Sequence, residues 1–120
     1  MLLSMKDFQT FYIGQTKDLS TRLRSHNAGF GSSSTCSAFL RPWAIFGYIT
    51  GFVNNTKPER EKLEAEWKHC VARRKRQTGS ITADEAFDTI VQILQQSGRV
   101  RMICVKCGTT MPRSVEYNTT

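Results

Sequence analysis

Residues 10–27, TFYIGQTKDLSTRLRSHN, set Tyr12 in an aromatic and branched run and place Arg22 and His26 four residues apart in the helical stretch behind it. That spacing puts a guanidinium and an imidazole on one helix face. A carboxylate, Glu64, stands far downstream in EREKLEAEWKHC. A planar guanidinium fork matches the oxygens of an anion such as phosphate, which suits Arg22 to stabilising negative charge. One carboxylate can hold a magnesium ion that keeps most of its waters, which suits Glu64. Each residue also has an ordinary reading. Tyr12 can be a half-buried strand aromatic, Arg22 a solvated helix residue, and His26 a favourable helix terminator. Glu64 has Arg60 and Lys68 four residues to either side as ion-pair partners, although such surface pairs contribute little.

The elements that must position these side chains are legible from patterning. Leu2 and Leu3 suggest a first strand, and Phe11 to Gln15 a second, ended by Gly14 and Gln15. Asp18 fits a helix N-cap before LSTRLRSH, which stops near Asn27 and Gly29, with Leu19 and Leu23 expected toward the core. The Gly- and Ser-rich AGFGSSSTCS, residues 28–37, reads as a loop, either ordered around a ligand or an inert connector. PWAIFGYITGF, residues 42–52, reads as one long strand. Thr56 and Pro58 open a second helix with Leu63, Trp67, Cys70 and Val71 as its apolar stripe and Glu64 on the stripe's edge. Thr82 with Glu85 is a capping-box pattern for a third helix, ended by Gly98. Residues 100–105 read as a strand, and the polar residues after Gly108 as a frayed tail.

A chain of 120 residues is one domain, with 39% hydrophobic and 22% charged residues as in ordinary globular proteins. The formal charge of +7 is the strongest compositional signal, and it favours a polyanion, because neutralised phosphates release condensed counterions. No apolar run approaches the roughly 20 residues that span a bilayer, and no stretch reads as a basic amphipathic anchor. The opening MLLSMKDF is too short and too soon charged for a secretory signal, so an intracellular protein is expected. Cys36, Cys70, Cys104 and Cys107 lack the density of a disulfide framework. Cys104 and Cys107 have zinc-ligand spacing without a second pair, so free thiols are the expectation. The run Arg73, Arg74, Lys75 and Arg76 is either a solvated helix end or a track for a duplex backbone, and nuclear targeting is a further reading.

Tyr12-Ile13-Gly14, Arg22 ten residues after the tyrosine, His26 four further on, and then Glu64 resemble the GIY-YIG nuclease family. "RPWAIFGYITGF" followed by "LEAEWKH" is similar to the structure-specific members that act on flaps and four-way junctions. The resemblance covers residues 1–72. It implies a metal-dependent DNA endonuclease that hydrolyses one phosphodiester by direct attack of water. Tyr12 and His26 would position or deprotonate the water, Arg22 would stabilise charge, and Glu64 would hold Mg2+ or another divalent cation such as Mn2+. A phenol is a weak base near neutrality, so a nearby cation such as Arg22 would have to lower its pKa. The implied partners are branched or structured DNA and a larger protein, and the implied location is the nucleus if the source is eukaryotic or a virus that replicates there. Candidate nucleic-acid contacts are Gln15, Lys17, Arg24, Lys68, Arg73, Arg74, Lys75 and Arg76.

The first motif of that family would supply another tyrosine at or near Met1, where the sequence has MLLSM. The alternative is therefore a degenerate member that binds DNA without cutting it. A zinc-ribbon-like nucleic-acid module using CVKC and a basic helix that docks on an acidic protein are the other readings. The fold expected is α/β (α+β), with a small, mainly antiparallel three-stranded sheet and helices packed around it. It would span residues 1–108, with its first strand cut short, and be followed by a polar tail at 109–120.

Overall fold

Capping chemistry starts each helix where the sequence places it. In the computed structural model, which describes residues 1–32, 35, 37–99, 102–107 and the backbone of 114–118, Asp18 accepts from the Thr21 amide and opens α1 (Leu19–Asn27). Thr56 and Glu59 form a complete capping box at the start of α2 (Lys57–Thr78), as do Thr82 and Glu85 at α3 (Ala83–Gln96). Gly79, at φ 86°, closes α2 in the left-handed conformation that costs glycine least.

The strands form two antiparallel sheets. β1 (Leu2–Ser4) lies between β2 (Phe11–Tyr12) and β3 (Trp43–Ile45), in the order β2-β1-β3. β4 (Gly47–Thr50), β5 (Ile103–Cys107) and β6 (Ser114–Asn118) make the other, in the order β4-β5-β6. The expected three-stranded antiparallel sheet is present, and the second sheet is added to it. The long strand expected over 42–52 is two strands broken at Phe46, and each half belongs to a different sheet. Phe46 is 5% exposed and turns into the core at that break. β2 is shorter than the run 11–15 suggests, because Ile13 and Gly14 leave the ladder. Where a frayed tail is expected, residues 114–118 pair along β5. Cys36 and the residues at 100 and 101 lie outside those described.

The core gathers on α3. Phe87, Ile90, Leu94 and Ala86 are wholly buried, which the 3.6-residue period brings to one face. Phe87 meets Phe46 and Trp67 edge-on, at centroid distances of 6.2 and 5.9 Å. Trp67 adds a buried hydrogen bond from its indole Nε1 to the Ala86 carbonyl, 2.9 Å, which fixes α2 on α3. Gly47 allows this approach, since a Cβ there would stand 2.3 Å from the Phe87 ring.

α1 is positioned differently from the sequence expectation. Leu19 is exposed and Leu23 only half-buried, while His26 is the residue that α1 buries. Asn27 does the docking. Its side chain donates to the Trp43 carbonyl and accepts from the Trp43 amide, clamping the helix end to β3. A helix held by this two-way amide clasp can afford a polar inner face.

Candidate active site

His26 is enclosed completely. Its Nδ1 hydrogen-bonds the Thr35 hydroxyl, and Thr35 in turn accepts the Trp43 indole N–H on its carbonyl oxygen at 3.1 Å. The Gly- and Ser-rich loop therefore packs on the histidine. At Gly31 a Cβ would lie 2.1 Å from His26 Nδ1, so only glycine fits without displacement. Among the described residues Nε2 has no hydrogen-bond partner. Burial, and secondarily the charge of Arg22, hold the imidazole below its ordinary pKa, so His26 is neutral at pH 7.

Tyr12 stands against that imidazole, with ring centroids 4.9 Å apart and a tilt of 54°. Over the Tyr12 ring sits Lys68 Nζ, 5.8 Å from its centroid. The same ammonium is 3.0 Å from Glu64 Oε1, so phenol and carboxylate come within reach of one lysine. The cation over the phenol is thus Lys68 from α2, where the sequence suggests Arg22. Arg22 is half-buried and close enough to His26 to act on its charge, and among the described residues its guanidinium makes no hydrogen bond or ion pair. Its fork remains open to an anion.

Glu64 is half-buried, as its place on the stripe edge predicts, with its side chain 20% exposed. It lines a cavity of about 430 Å³ together with Met1, Gln15, Lys17, Tyr48 and Arg60. Of the two expected ion-pair partners Lys68 takes the role and Arg60 does not. Arg60 turns instead to the Gln15 side chain and to Asn55. Glu66, two residues beyond Glu64 on α2, is engaged by Arg99, which reaches its two oxygens at 2.7 and 2.9 Å.

No group of three or more His, Cys, Asp or Glu side chains converges among the described residues. Glu64 offers one hard carboxylate oxygen, a donor that suits a divalent cation completed by waters and substrate phosphate. The residues present fit such an ion. CVKC offers two thiols, and among the described residues no third His, Cys, Asp or Glu joins them as a zinc site needs. Cys104 is wholly buried on β5, and burial pushes its thiol up to about 11.

The basic candidates separate by environment. Gln15 and Lys17 line the Glu64 cavity. Lys68 and Lys75 line a second hollow that opens on Tyr12. Arg73 and Arg76 are exposed on α2, and Arg24 lies on the outer face of α1, its guanidinium 3.3 Å from the Thr21 hydroxyl. Arg74 is drawn away to α3, where it reaches the Glu85 carbonyl and carboxylate and the Thr89 hydroxyl. Arg60 is the residue that sequence reasoning passed over. Residues 60, 63, 67 and 71 are the buried face of α2, so a charged residue in that register was the available signal.

Tyr12, Arg22, His26 and Glu64 all lie inside the stretch, residues 2–77, that matches the family model of the GIY-YIG catalytic domain. The chain belongs to the GIY-YIG family. It is similar to the structure-specific endonuclease subunit slx1 of Talaromyces marneffei, at 34% identity over 88 residues, covering 71% of this chain and 21% of that protein. The chain thus spans about a fifth of the length of that relative. No solved structure matches it significantly.

Proposed function

We propose that this chain is the catalytic domain of a metal-dependent DNA endonuclease that hydrolyses one phosphodiester bond in branched or structured DNA. The observation that carries it is the convergence of Tyr12, His26, Lys68 and Glu64 beside an uncommitted Arg22. The charge of +7 supports a nucleic-acid substrate, and the likeness to a structure-specific endonuclease subunit supports structured DNA. Because that relative is named a subunit, a larger protein partner belongs to the same proposal.

In the reaction a water oxygen forms a bond to phosphorus while the bond to the 3′ oxygen breaks. The products are a 5′ phosphate and a 3′ hydroxyl. Tyr12, its ring held against neutral His26, orients the attacking water and takes its proton while giving up its own phenolic proton to solvent. Arg22 takes the charge that grows on the non-bridging oxygens. Glu64 would hold Mg2+ or Mn2+, which when bound would supply Lewis-acid stabilisation of the phosphate and the leaving oxygen. Lys68, paired with Glu64 Oε1 at 3.0 Å, would have to give up that oxygen for Glu64 to hold the cation.

A second reading has one observation in its favour. Met1, whose thioether side chain cannot exchange protons, is part of the cavity wall beside Glu64, where the resemblance calls for a tyrosine. That reading is a domain that binds without cutting. Flap, four-way-junction and linear duplex DNA, incubated with Mg2+ or with a chelator, separate the two. Cleavage of branched DNA that needs metal and falls at least about a hundredfold in Glu64→Gln and Arg22→Ala is expected. Identical nicking by all three proteins refutes the roles, and tight binding without cleavage establishes the second reading.

A further inference from the structure

Arg60 is a charged side chain in a place normally filled by an apolar one. Its residue is 8% exposed, in register with Leu63, Trp67 and Val71 on the inner face of α2. Burying a guanidinium is costly unless its charge and hydrogen bonds are answered. Here the hydrogen-bond partners are neutral, and Glu59 feels the charge only through space, without an ion pair. Nε donates to Gln15 Oε1 at 2.9 Å, and Nη1 donates to the Asn55 backbone and side-chain oxygens. Among the described residues no carboxylate forms an ion pair with it, and Nη2 has no hydrogen-bond partner. Glu59, on the neighbouring residue, spends its carboxylate on the amides of Asn54 and Thr56. Arg60 also lines the cavity that holds Glu64.

We propose that Arg60, held by Gln15 and Asn55, is a second anion-binding group of this site, which takes a phosphate of the substrate strand next to the one that is cut. The proposal rests on the nuclease reading above and adds a contact to it. A guanidinium fixed on two sides by neutral acceptors keeps its full charge and presents its remaining edge without loss of side-chain entropy. Glu64, in the same cavity, would repel a bare phosphate. A cation already in place there offsets that repulsion and sets the register of the strand. Lys17 on the cavity rim adds to the same field.

The decisive variant is Gln15→Glu. It keeps an oxygen for Arg60 Nε and supplies the missing counter-charge, so the fold is retained while the anion site is neutralised. Gln92→Glu, exposed on α3, makes the same change in net charge elsewhere. Binding of fluorescent flap DNA is titrated from 50 to about 200 mM salt, where each phosphate contact contributes about 0.9 to the log–log slope. For Gln15→Glu, affinity falls on the order of tenfold or more, the slope drops by nearly one contact, and the melting temperature is equal or higher. Arg60→Lys keeps the slope, and Arg60→Gln loses it. Equal binding by Gln15→Glu and Gln92→Glu overturns the proposal while leaving the nuclease reading intact. If the wild type fails to bind any DNA, both fall, and if Glu64→Gln still binds but no longer cuts, the nuclease reading stands by itself.

Discussion

Replacing Gly31 with alanine adds one methyl group at the point where the loop lies on His26. That carbon would stand 2.1 Å from Nδ1, 2.6 Å from Cγ and 2.7 Å from Cε1 of a fully buried ring. Optimal carbon contacts are at about 3.5 Å, so the loop or the imidazole must move by roughly 1 Å. The ring is also tied to Thr35, and the movement breaks that hydrogen bond. Overpacking costs about 1–3 kcal/mol and the lost bond about 1 more, so a destabilisation of about 2–4 kcal/mol is expected. Because Tyr12 rests on His26 at 4.9 Å, the phenol shifts with it. A displacement of that size costs on the order of a hundredfold in rate. Urea unfolding followed by tryptophan fluorescence gives the first number, and single-turnover cleavage of a flap substrate gives the second. Thr35→Val separates the terms, since it removes the hydroxyl without adding the clash. If Gly31→Ala unfolds within about 0.5 kcal/mol of wild type and cuts at the same rate, the packing of loop on histidine and histidine on tyrosine does not organise this site.

Three further outcomes follow from the same geometry. His26 has a folded pKa below its unfolded value of about 6.5, so its contribution to stability is complete above that pH and is lost as pH falls toward the folded value; thermal melts between pH 7.5 and 5.5 should decline, and His26→Gln should flatten the decline. Phe87→Ala empties the centre of the contacts with Phe46 and Trp67 and costs about 3–5 kcal/mol, a large part of what holds a domain this size, so urea midpoints near wild type would contradict the assigned core. Cys104, buried and with its thiol raised to about 11, should resist alkylation at pH 8 until denaturant is added; labelling as fast as half-buried Cys70 would show that β5 is open.

Helix starts, the apolar stripe of α2 and the four-residue pairing of Arg22 with His26 are contained in the sequence alone. Each rests on interactions within one or two turns, such as Thr56 with Glu59 or Thr82 with Glu85. The positions of Tyr12, Arg22, His26 and Glu64 are equally legible, because side-chain type and spacing are properties of the chain. Tertiary structure decided the rest. Residues 42–52 carry an unbroken strand pattern, yet the demand for Phe46 in the core splits them between two sheets. Leu19 looks like a core residue, but the Asn27 clasp on β3 turns α1 so that His26 goes in instead. Arg60 had Glu64 one turn away and chose Gln15, 45 residues distant along the chain. Local pairs on a helix are worth only a few tenths of a kcal/mol, so packing between distant segments overrules them, and that is information a linear pattern does not hold.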